Sequence, residues 1–153
     1  LMDELRDLYQ EVIFDHNRKP RNFHKLPGAN RHAEGFNPLC GDQLSVYLKV
    51  SDQDMIEDVS FEGRGCAIST ASASIMTETL RGKTVQQAGT LFENFHRLVT
   101  GQGVDAAAPA ADLGKLQVLT GVRDYPARVK CATLAWHTLQ AALKNAATTV
   151  STE

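Results

Sequence analysis

The sequence predicts an α+β fold in which helices pack on one face of a small antiparallel sheet of about three strands. Apolar residues alternate as in strands early in the chain, and recur with a helical period at the N-terminus and throughout the second half. Early strands followed by a run of helices are typical of α+β proteins. The 153 residues, 42% of them apolar and 22% charged, suffice for one hydrophobic core. We expect a single domain over residues 1–147 and a flexible tail over 148–153.

An amphipathic helix is predicted from Asp3 to about Asn17, and Pro20 follows its end. The next segment, from Phe23 to Pro38, is rich in glycine and proline and is predicted to be mainly loop, with a short strand around Arg31 to Glu34. The apolar residues of the N-terminal helix have the i, i+3, i+4, i+7 spacing of a docking face: Leu5, Leu8, Tyr9, Val12 and Ile13.

Two strands of an antiparallel hairpin are predicted next. From Gln43 to Val50 the even positions are apolar and most odd positions are polar, as in a strand with one buried face. The segment "SDQD" predicts a turn, and Met55 to Phe61 predicts the second strand. Gly63 and Gly65 then free the backbone just before Cys66, where a helix is expected to begin.

The second half of the chain is predicted to be helical. A closely packed helix rich in small residues ends at Gly82, and another begins after a cap at Thr84. A flexible segment from Gly101 to Asp112 and a short helix over "LGKLQVLTGV" follow. The long C-terminal helix is predicted from about Pro126 to Ala147. Its apolar stripe, which we expect to pack in the core, consists of Val129, Ala132, Trp136, Leu139 and Leu143.

Charge and cysteine content limit the function classes. The formal net charge is −2 and the pI is about 6.2, whereas nucleic-acid and anionic-membrane binders usually carry clustered lysine and arginine. The N-terminus lacks the pattern of a secretory signal, and no segment has transmembrane length. The three cysteines do not suggest a disulfide framework. We therefore expect a cytoplasmic protein with protein or small-molecule partners, and no nucleic-acid or membrane binding.

The cysteines have features of metal ligands. If the first strand of the hairpin is extended backward, Cys40 and Asp42 point to the same side, with Cα atoms about 7 Å apart. Cys66 precedes a helix N-terminus, where exposed N–H groups favour a thiolate. Cys131 lies off the apolar stripe of its helix, beside Arg128 and Lys130, which should lower the pKa of its thiol. Reactivity explains this cysteine better than packing does.

Three thiolates and one carboxylate form a four-ligand set suited to zinc or to iron with sulfide. The spacing includes no C-x-x-C pair, and each cysteine taken alone is also explained as a small buried hydrophobe. A purely structural zinc module remains an alternative. A cysteine hydrolase is disfavoured because it needs a Cys-His pair. The histidines, which show no evident pairing with a cysteine, are His16, His24, His32, His96 and His137.

Four stretches stand out along the chain: "KPRNF", "NPLCGDQLSVYLKV", "FEGRGCAISTASASIMTE" and "PARVKCATLAW". Together, and in this order, they resemble the SufU, IscU and NifU N-terminal family of iron-sulfur cluster assembly proteins, and the resemblance spans Leu8 to about Leu143. The resemblance implies a metal site at Cys40, Asp42, Cys66 and Cys131.

Within that family the chain most resembles the SufU branch. The long segment between Cys66 and Cys131 is similar to an insertion that SufU-type members carry, and Lys130 stands where IscU-type members have a histidine. This resemblance implies a zinc-dependent sulfurtransferase that accepts sulfur, rather than a conventional enzyme. The alternative is an IscU-like scaffold on which a 2Fe-2S cluster is assembled by Cys40, Cys66 and Cys131.

The resemblance also implies partners. A SufS-type cysteine desulfurase, which uses pyridoxal phosphate, would present persulfide sulfur, and downstream iron-sulfur assembly proteins would receive it. Cys40 is the expected acceptor because it lies on a glycine-adjacent turn that can move, while Cys66 and Cys131 retain the metal. The residues leave open whether Cys40 or Cys131 first carries sulfur, and whether the chain dimerises.

Overall fold

The computed structural model describes residues 2–101, 113–144 and 150–151, with side chains described for 9–101 and 113–144. In chain order the elements are α1 (Met2–Arg18), β1 (Arg31–Asn37), β2 (Asp42–Val50), β3 (Ile56–Arg64), α2 (Ala67–Leu80), α3 (Val85–Thr100), a 3-10 helix (Gly114–Asp124), α4 (Pro126–Leu143) and β4 (Val150–Ser151).

The sheet has the strand order β3-β2-β1-β4. Strands β1, β2 and β3 pair antiparallel, which confirms the predicted α+β fold, and β4 is a two-residue strand parallel to β1. The helices form the other layer, with α2 and α4 against the sheet. Ala33, Leu44 and Val46 are buried on the covered face of the sheet, so the alternation predicted for β2 is confirmed.

Strand β1 is longer than the sequence predicted. The loop prediction was wrong over 35–37, where Gly35 and the nearby Pro38 suggested a turn. Gly35 instead pairs with Leu44 inside the sheet, and a Cβ on Gly35 would collide with the Thr138 hydroxyl of α4. The glycine is therefore a point of close approach between strand and helix, which is the other common reason for glycine in a strand.

The predicted docking of helix α1 is confirmed for Tyr9, Val12 and Ile13, which pack against the core where α1 meets α2. The side chains of residues 5 and 8, the rest of the predicted face, lie outside those described.

His16 is buried, and its Nδ1 lies 2.7 Å from the Ser74 hydroxyl. The Ser74 oxygen also accepts the Arg21 backbone N–H at 2.9 Å. Burial lowers the pKa of His16, so the imidazole is neutral at pH 7 and can be accommodated between the helices.

The core between α2, α3 and α4 is organised around Trp136. Its side chain is fully buried, stacks on Phe95 with ring centroids 4.9 Å apart, and donates from Nε1 to the Ser72 hydroxyl at 3.2 Å. Ser72 in turn donates to the Ala132 carbonyl at 2.6 Å. The predicted packing role of Trp136 is confirmed, and these bonds tie α2 to α4.

Two of the predicted segments fall largely outside the described residues. Of the segment predicted as flexible, only Gly101 is described, as the left-handed C-cap of α3. The short helix predicted after it is the 3-10 helix. In the predicted tail, Val150 and Ser151 form β4, and 148, 149, 152 and 153 lie outside the described residues. No helix in the described ranges is long and apolar enough to cross a membrane.

The predicted cap at Thr84 is present as a full capping box. The Thr84 hydroxyl accepts the Gln87 N–H at 3.0 Å, and the Gln87 side chain accepts the Thr84 N–H at 2.9 Å. We expect Thr84→Ala to lower the unfolding free energy by about 1 kcal/mol, since the Gln87 backbone N–H loses its partner.

Thermal unfolding measures this effect, and Thr90→Ala is the matched control. Thr90 lies on the exposed surface of α3, where its hydroxyl donates only to the Gln86 carbonyl. Equal losses of stability in the two variants would contradict a capping role for Thr84.

Candidate metal centre

Four elements bring the predicted ligands to one end of the sheet. Cys40 lies in the turn between β1 and β2, and Asp42 is the first residue of β2. Cys66 is the N-cap of α2, and Cys131 lies in the second turn of α4. Cys40 is exposed, Cys66 is partly buried, and Cys131 and Asp42 are almost completely inaccessible.

Three of these side chains form a compact cluster. One ligand atom from each of Cys40, Asp42 and Cys131 lies within 4.8 Å of the others, and the Cys131 and Cys40 sulfurs are 3.1 Å apart as free thiols. Donors bound to one tetrahedral zinc at about 2.0–2.3 Å lie about 3.3–3.8 Å from each other. Small side-chain adjustments are therefore enough to place all three on one ion.

The hairpin turn, rather than strand parity, brings Cys40 to the cluster. Asp42 has the predicted parity, because it is buried on the same face as Leu44. The backward extension of the strand to Cys40 was wrong, since the chain reverses over 38–41 with Gly41 at a φ of 70°. A left-handed conformation is accessible to glycine without strain. The turn therefore folds the Cys40 thiol back over Asp42.

Cys66 is linked to the cluster by backbone and side-chain hydrogen bonds. Its N–H donates to Asp42 Oδ1 at 2.9 Å, and its sulfur accepts the Ser69 N–H at 3.4 Å as the cap of α2. Gly65 makes this approach possible, because a Cβ there would lie 2.9 Å from Asp42 Oδ1. The Cys66 sulfur itself does not belong to the group of ligand atoms that lie within 4.8 Å of one another, so among the described residues the structure clusters three of the four predicted ligands.

Asn37 is a site residue that the sequence reasoning missed. It is completely buried, its Nδ2 lies 3.3 Å from Asp42 Oδ2 and 3.6 Å from the Cys131 sulfur, and its Oδ1 accepts the Leu39 N–H. The missing signal was the true length of β1. In a strand reaching Asn37, the alternation with Gly35 places this amide on the covered face.

The pKa of the Cys131 thiol is raised well above its usual range. Burial is the main cause, followed by the interaction with the Cys40 thiol, by the nearby Cys66 thiol and by the charge of Asp42. The expectation that cationic helix neighbours lower this pKa was wrong, because desolvation and neighbouring acidic groups outweigh them. A bound cation would favour the deprotonated form of the Cys131 thiol, since cysteine ligands release their protons on binding metal.

The donor set therefore fits a soft or borderline metal ion. Thiolates suit zinc and iron, and a cluster of acidic side chains in a buried place is stabilised by a positive charge. Among the described residues, no histidine forms a hydrogen bond with a cysteine: His16 bonds Ser74 and His24 lies beside the Lys25 carbonyl. This arrangement does not support a Cys-His hydrolase.

Comparison with known proteins agrees with the family resemblance found in the sequence. Residues 8–132 match the NifU-like N-terminal domain family. The chain is 40% identical over 146 residues to a protein named iron-sulfur cluster assembly scaffold protein IscU from Streptococcus pyogenes, covering 95% of this chain and 89% of the relative. It is 41% identical over 136 residues to one named zinc-dependent sulfurtransferase SufU from Bacillus subtilis, covering 89% of each.

A solved structure agrees in fold. It comes from Fervidobacterium islandicum and is described as an iron-sulfur cluster assembly scaffold protein for the SUF system. It matches with a TM-score of 0.80 at 39% identity, covering 87% of this chain and 94% of that one. The family match, the relatives and the fold together show that this chain belongs to the NifU-like N-terminal domain family, with IscU and SufU proteins among its relatives.

Proposed function

We propose that this protein of the IscU and SufU group takes part in iron-sulfur cluster assembly by accepting persulfide sulfur from a cysteine desulfurase at a zinc site. The observation that carries the proposal is the clustering of Cys40, Asp42 and Cys131 within 4.8 Å. In this cluster one thiol is exposed on a turn, while another is buried. In such a site the buried thiol can hold a metal ion, while a partner protein can reach the exposed one.

The ligands of the zinc would be Cys40, Asp42, Cys66 and Cys131. The bound ion would supply the charge that keeps the thiols deprotonated at neutral pH. Asp42 is well oriented for this role, because its two oxygens accept hydrogen bonds from the Cys66 N–H and from Asn37. These contacts hold the carboxylate toward the sulfurs.

Cys40 is the proposed acceptor because it is the exposed thiol of the three. Its thiolate attacks the outer sulfur of the persulfide on the desulfurase, which itself uses pyridoxal phosphate. A sulfur-sulfur bond forms at Cys40, the sulfur-sulfur bond on the desulfurase breaks, and the desulfurase cysteine leaves as a thiolate. A downstream iron-sulfur assembly protein then receives the sulfur. Cys131 is too deeply buried to be reached first.

A second candidate function is a scaffold for a 2Fe-2S cluster as cargo on the same residues. It is supported by the relative named as an IscU scaffold, whose 40% identity is about equal to the 41% of the SufU-named relative. Lys130 beside Cys131 ends in an ammonium group, which has no lone pair to offer iron, and this favours the sulfur-transfer function. Soft thiolate ligands suit both zinc and iron-sulfur clusters.

Metal content and desulfurase turnover distinguish the two functions. After anaerobic purification, we expect about one zinc per chain and strong activation of a cysteine desulfurase. A coloured iron-sulfur species with little activation would contradict sulfur transfer and support the scaffold.

Replacement of Cys40 tests the acceptor. We expect Cys40→Ser to carry no persulfide after incubation with desulfurase and cysteine, because the serine oxygen lacks the nucleophilic sulfur. Thr90→Ala is the matched control, since it alters the exposed surface of α3 and leaves all four proposed ligands in place. Mass spectrometry of the peptides should find persulfide on Cys40 in that control.

Persulfide appearing at the normal rate in Cys40→Ser would exclude this acceptor. The remaining alternative is a purely structural zinc module. If circular dichroism shows that Cys40→Ser is folded and sulfur transfer is lost, the result argues against that alternative.

A further inference from the structure

Two histidines that the proposed sulfur chemistry does not use meet between α3 and α4. The ring centroids of His96 on α3 and His137 on α4 are 6.0 Å apart, with their planes inclined by 76°. His137 follows Cys131 by six residues, which is about 9 Å along the helix axis and about 240° around it. The histidine pair is therefore separate from the cysteine centre.

Both imidazoles are available for a ligand. Each side chain is partly buried, and within the described part of the chain their interactions are ring contacts without hydrogen bonds or ion pairs. His16, in contrast, lies 2.7 Å from the Ser74 hydroxyl. Because no protein group bonds their nitrogens among the described residues, both rings can turn toward an ion or toward water.

The spacing of the two rings suits one shared metal ion. Two imidazoles bound through nitrogen at about 2.0–2.1 Å to one tetrahedral ion have ring centres about 5 Å apart. The observed separation of 6.0 Å is about 1 Å wider, a difference that small side-chain rotations can close. Rotation about the last side-chain torsion of histidine is soft, so one nitrogen of each ring can turn toward a common point.

The surroundings favour the neutral, ligating form of histidine. Phe92 packs against both rings, at centroid distances of 5.2 Å from His137 and 6.0 Å from His96. Burial, and to a smaller extent the charge of His96, lower the pKa of His137. A neutral imidazole is the form that binds metals.

We propose that His96 and His137 form a second metal site, which binds a borderline divalent cation such as Zn²⁺ or Ni²⁺ with water completing the coordination. Imidazole ligands suit these ions. The bound ion would link α3 to α4 across the intervening chain and stabilise their packing, because it binds only where the two rings are held together.

Nickel titration of the zinc-loaded, tag-free protein tests this site, since zinc then already occupies the cysteine ligands. Calorimetry should detect one further ion per chain, and paramagnetic Ni²⁺ should broaden the NMR signals of His96 and His137 before those of other histidines. We expect His96→Gln and His137→Gln each to weaken binding by roughly a hundredfold, as one of two linked ligands is lost. His24→Gln, which alters an exposed histidine, should bind as the parent does.

Unchanged nickel affinity in both glutamine variants would overturn the proposal, as would the absence of saturable binding below millimolar nickel or equal broadening of all histidines. If one variant is shown by circular dichroism to be unfolded, the other variant and the NMR result of the parent still decide. Sulfur transfer through Cys40 is measured independently, so failure of this site does not affect the proposed function.

Discussion

Gly63→Ala is expected to lower the unfolding free energy by about 3 kcal/mol or more. Gly63 has a φ of 134°, a region that is essentially closed to residues with a Cβ. An added Cβ would also collide with the Gln43 backbone carbonyl and lie 2.9 Å from the Leu44 Cα. Because the obstructing atoms are backbone, they cannot move aside without disturbing the β2–β3 pairing.

Denaturant unfolding measures this loss, and Gly28→Ala is the matched control. Gly28 also has a positive φ, 80°, yet its Cβ would meet no atom within 4 Å. We expect a cost of about 1 kcal/mol there, from backbone strain alone. Similar losses in the two variants would show that the contact with Gln43 is unimportant.

The same substitution should affect the metal centre. Gly63 is followed closely by Gly65 and Cys66, and the Cys66 N–H donates to Asp42 across β2 and β3. Displacing β3 from β2 separates these residues, so we expect weaker zinc retention in Gly63→Ala during competition with a chelator.

Trp136→Ala is expected to destabilise the fold by about 3–5 kcal/mol, the range measured for large aromatic side chains removed from protein cores. The indole is fully buried and contacts α3 through Phe95 and α2 through Ser72. Its removal leaves a cavity at the junction of three helices and deprives the Ser72 oxygen of the indole donor.

Thermal and denaturant unfolding measure this effect, with Phe14→Ala as the control. Phe14 is also aromatic and helical, but 56% of its surface is exposed, so its loss should cost much less. The loss of stability in Trp136→Phe should lie between those of Trp136→Ala and Phe14→Ala, since phenylalanine keeps most of the side-chain volume but loses the hydrogen bond to Ser72. A small effect of Trp136→Ala would contradict the central packing role.

Interactions between near neighbours were predictable from the sequence. The buried face of β2, with Leu44, Val46 and Leu48, followed from alternation because a strand places successive side chains on opposite faces. The cap at Thr84 followed from the preference of threonine for this position. The parity of Asp42 was right for the same reason as that of Leu44.

Contacts between distant segments were not predictable in the same way. Gly35 and Pro38 resembled loop residues because the approach of Thr138 to Gly35 is invisible in the local pattern. As a result the length of β1 and the inward position of Asn37 were missed, and β2 was extended too far back, although a turn beside Gly41 was expected. The pKa of Cys131 was predicted in the wrong direction, because burial depends on the packing of whole elements.

The sequence by itself determined the α+β class and the order of the main helices and strands, since these follow from local periodicity, and side-chain chemistry made Cys40, Asp42, Cys66 and Cys131 candidate ligands. The tertiary structure alone decided which of these candidates meet, and it clusters Cys40, Asp42 and Cys131. A turn, a strand end, a helix cap and a helix interior converge only when the sheet and helices pack, and the same packing makes Cys40 exposed, Cys131 buried and His96 a neighbour of His137.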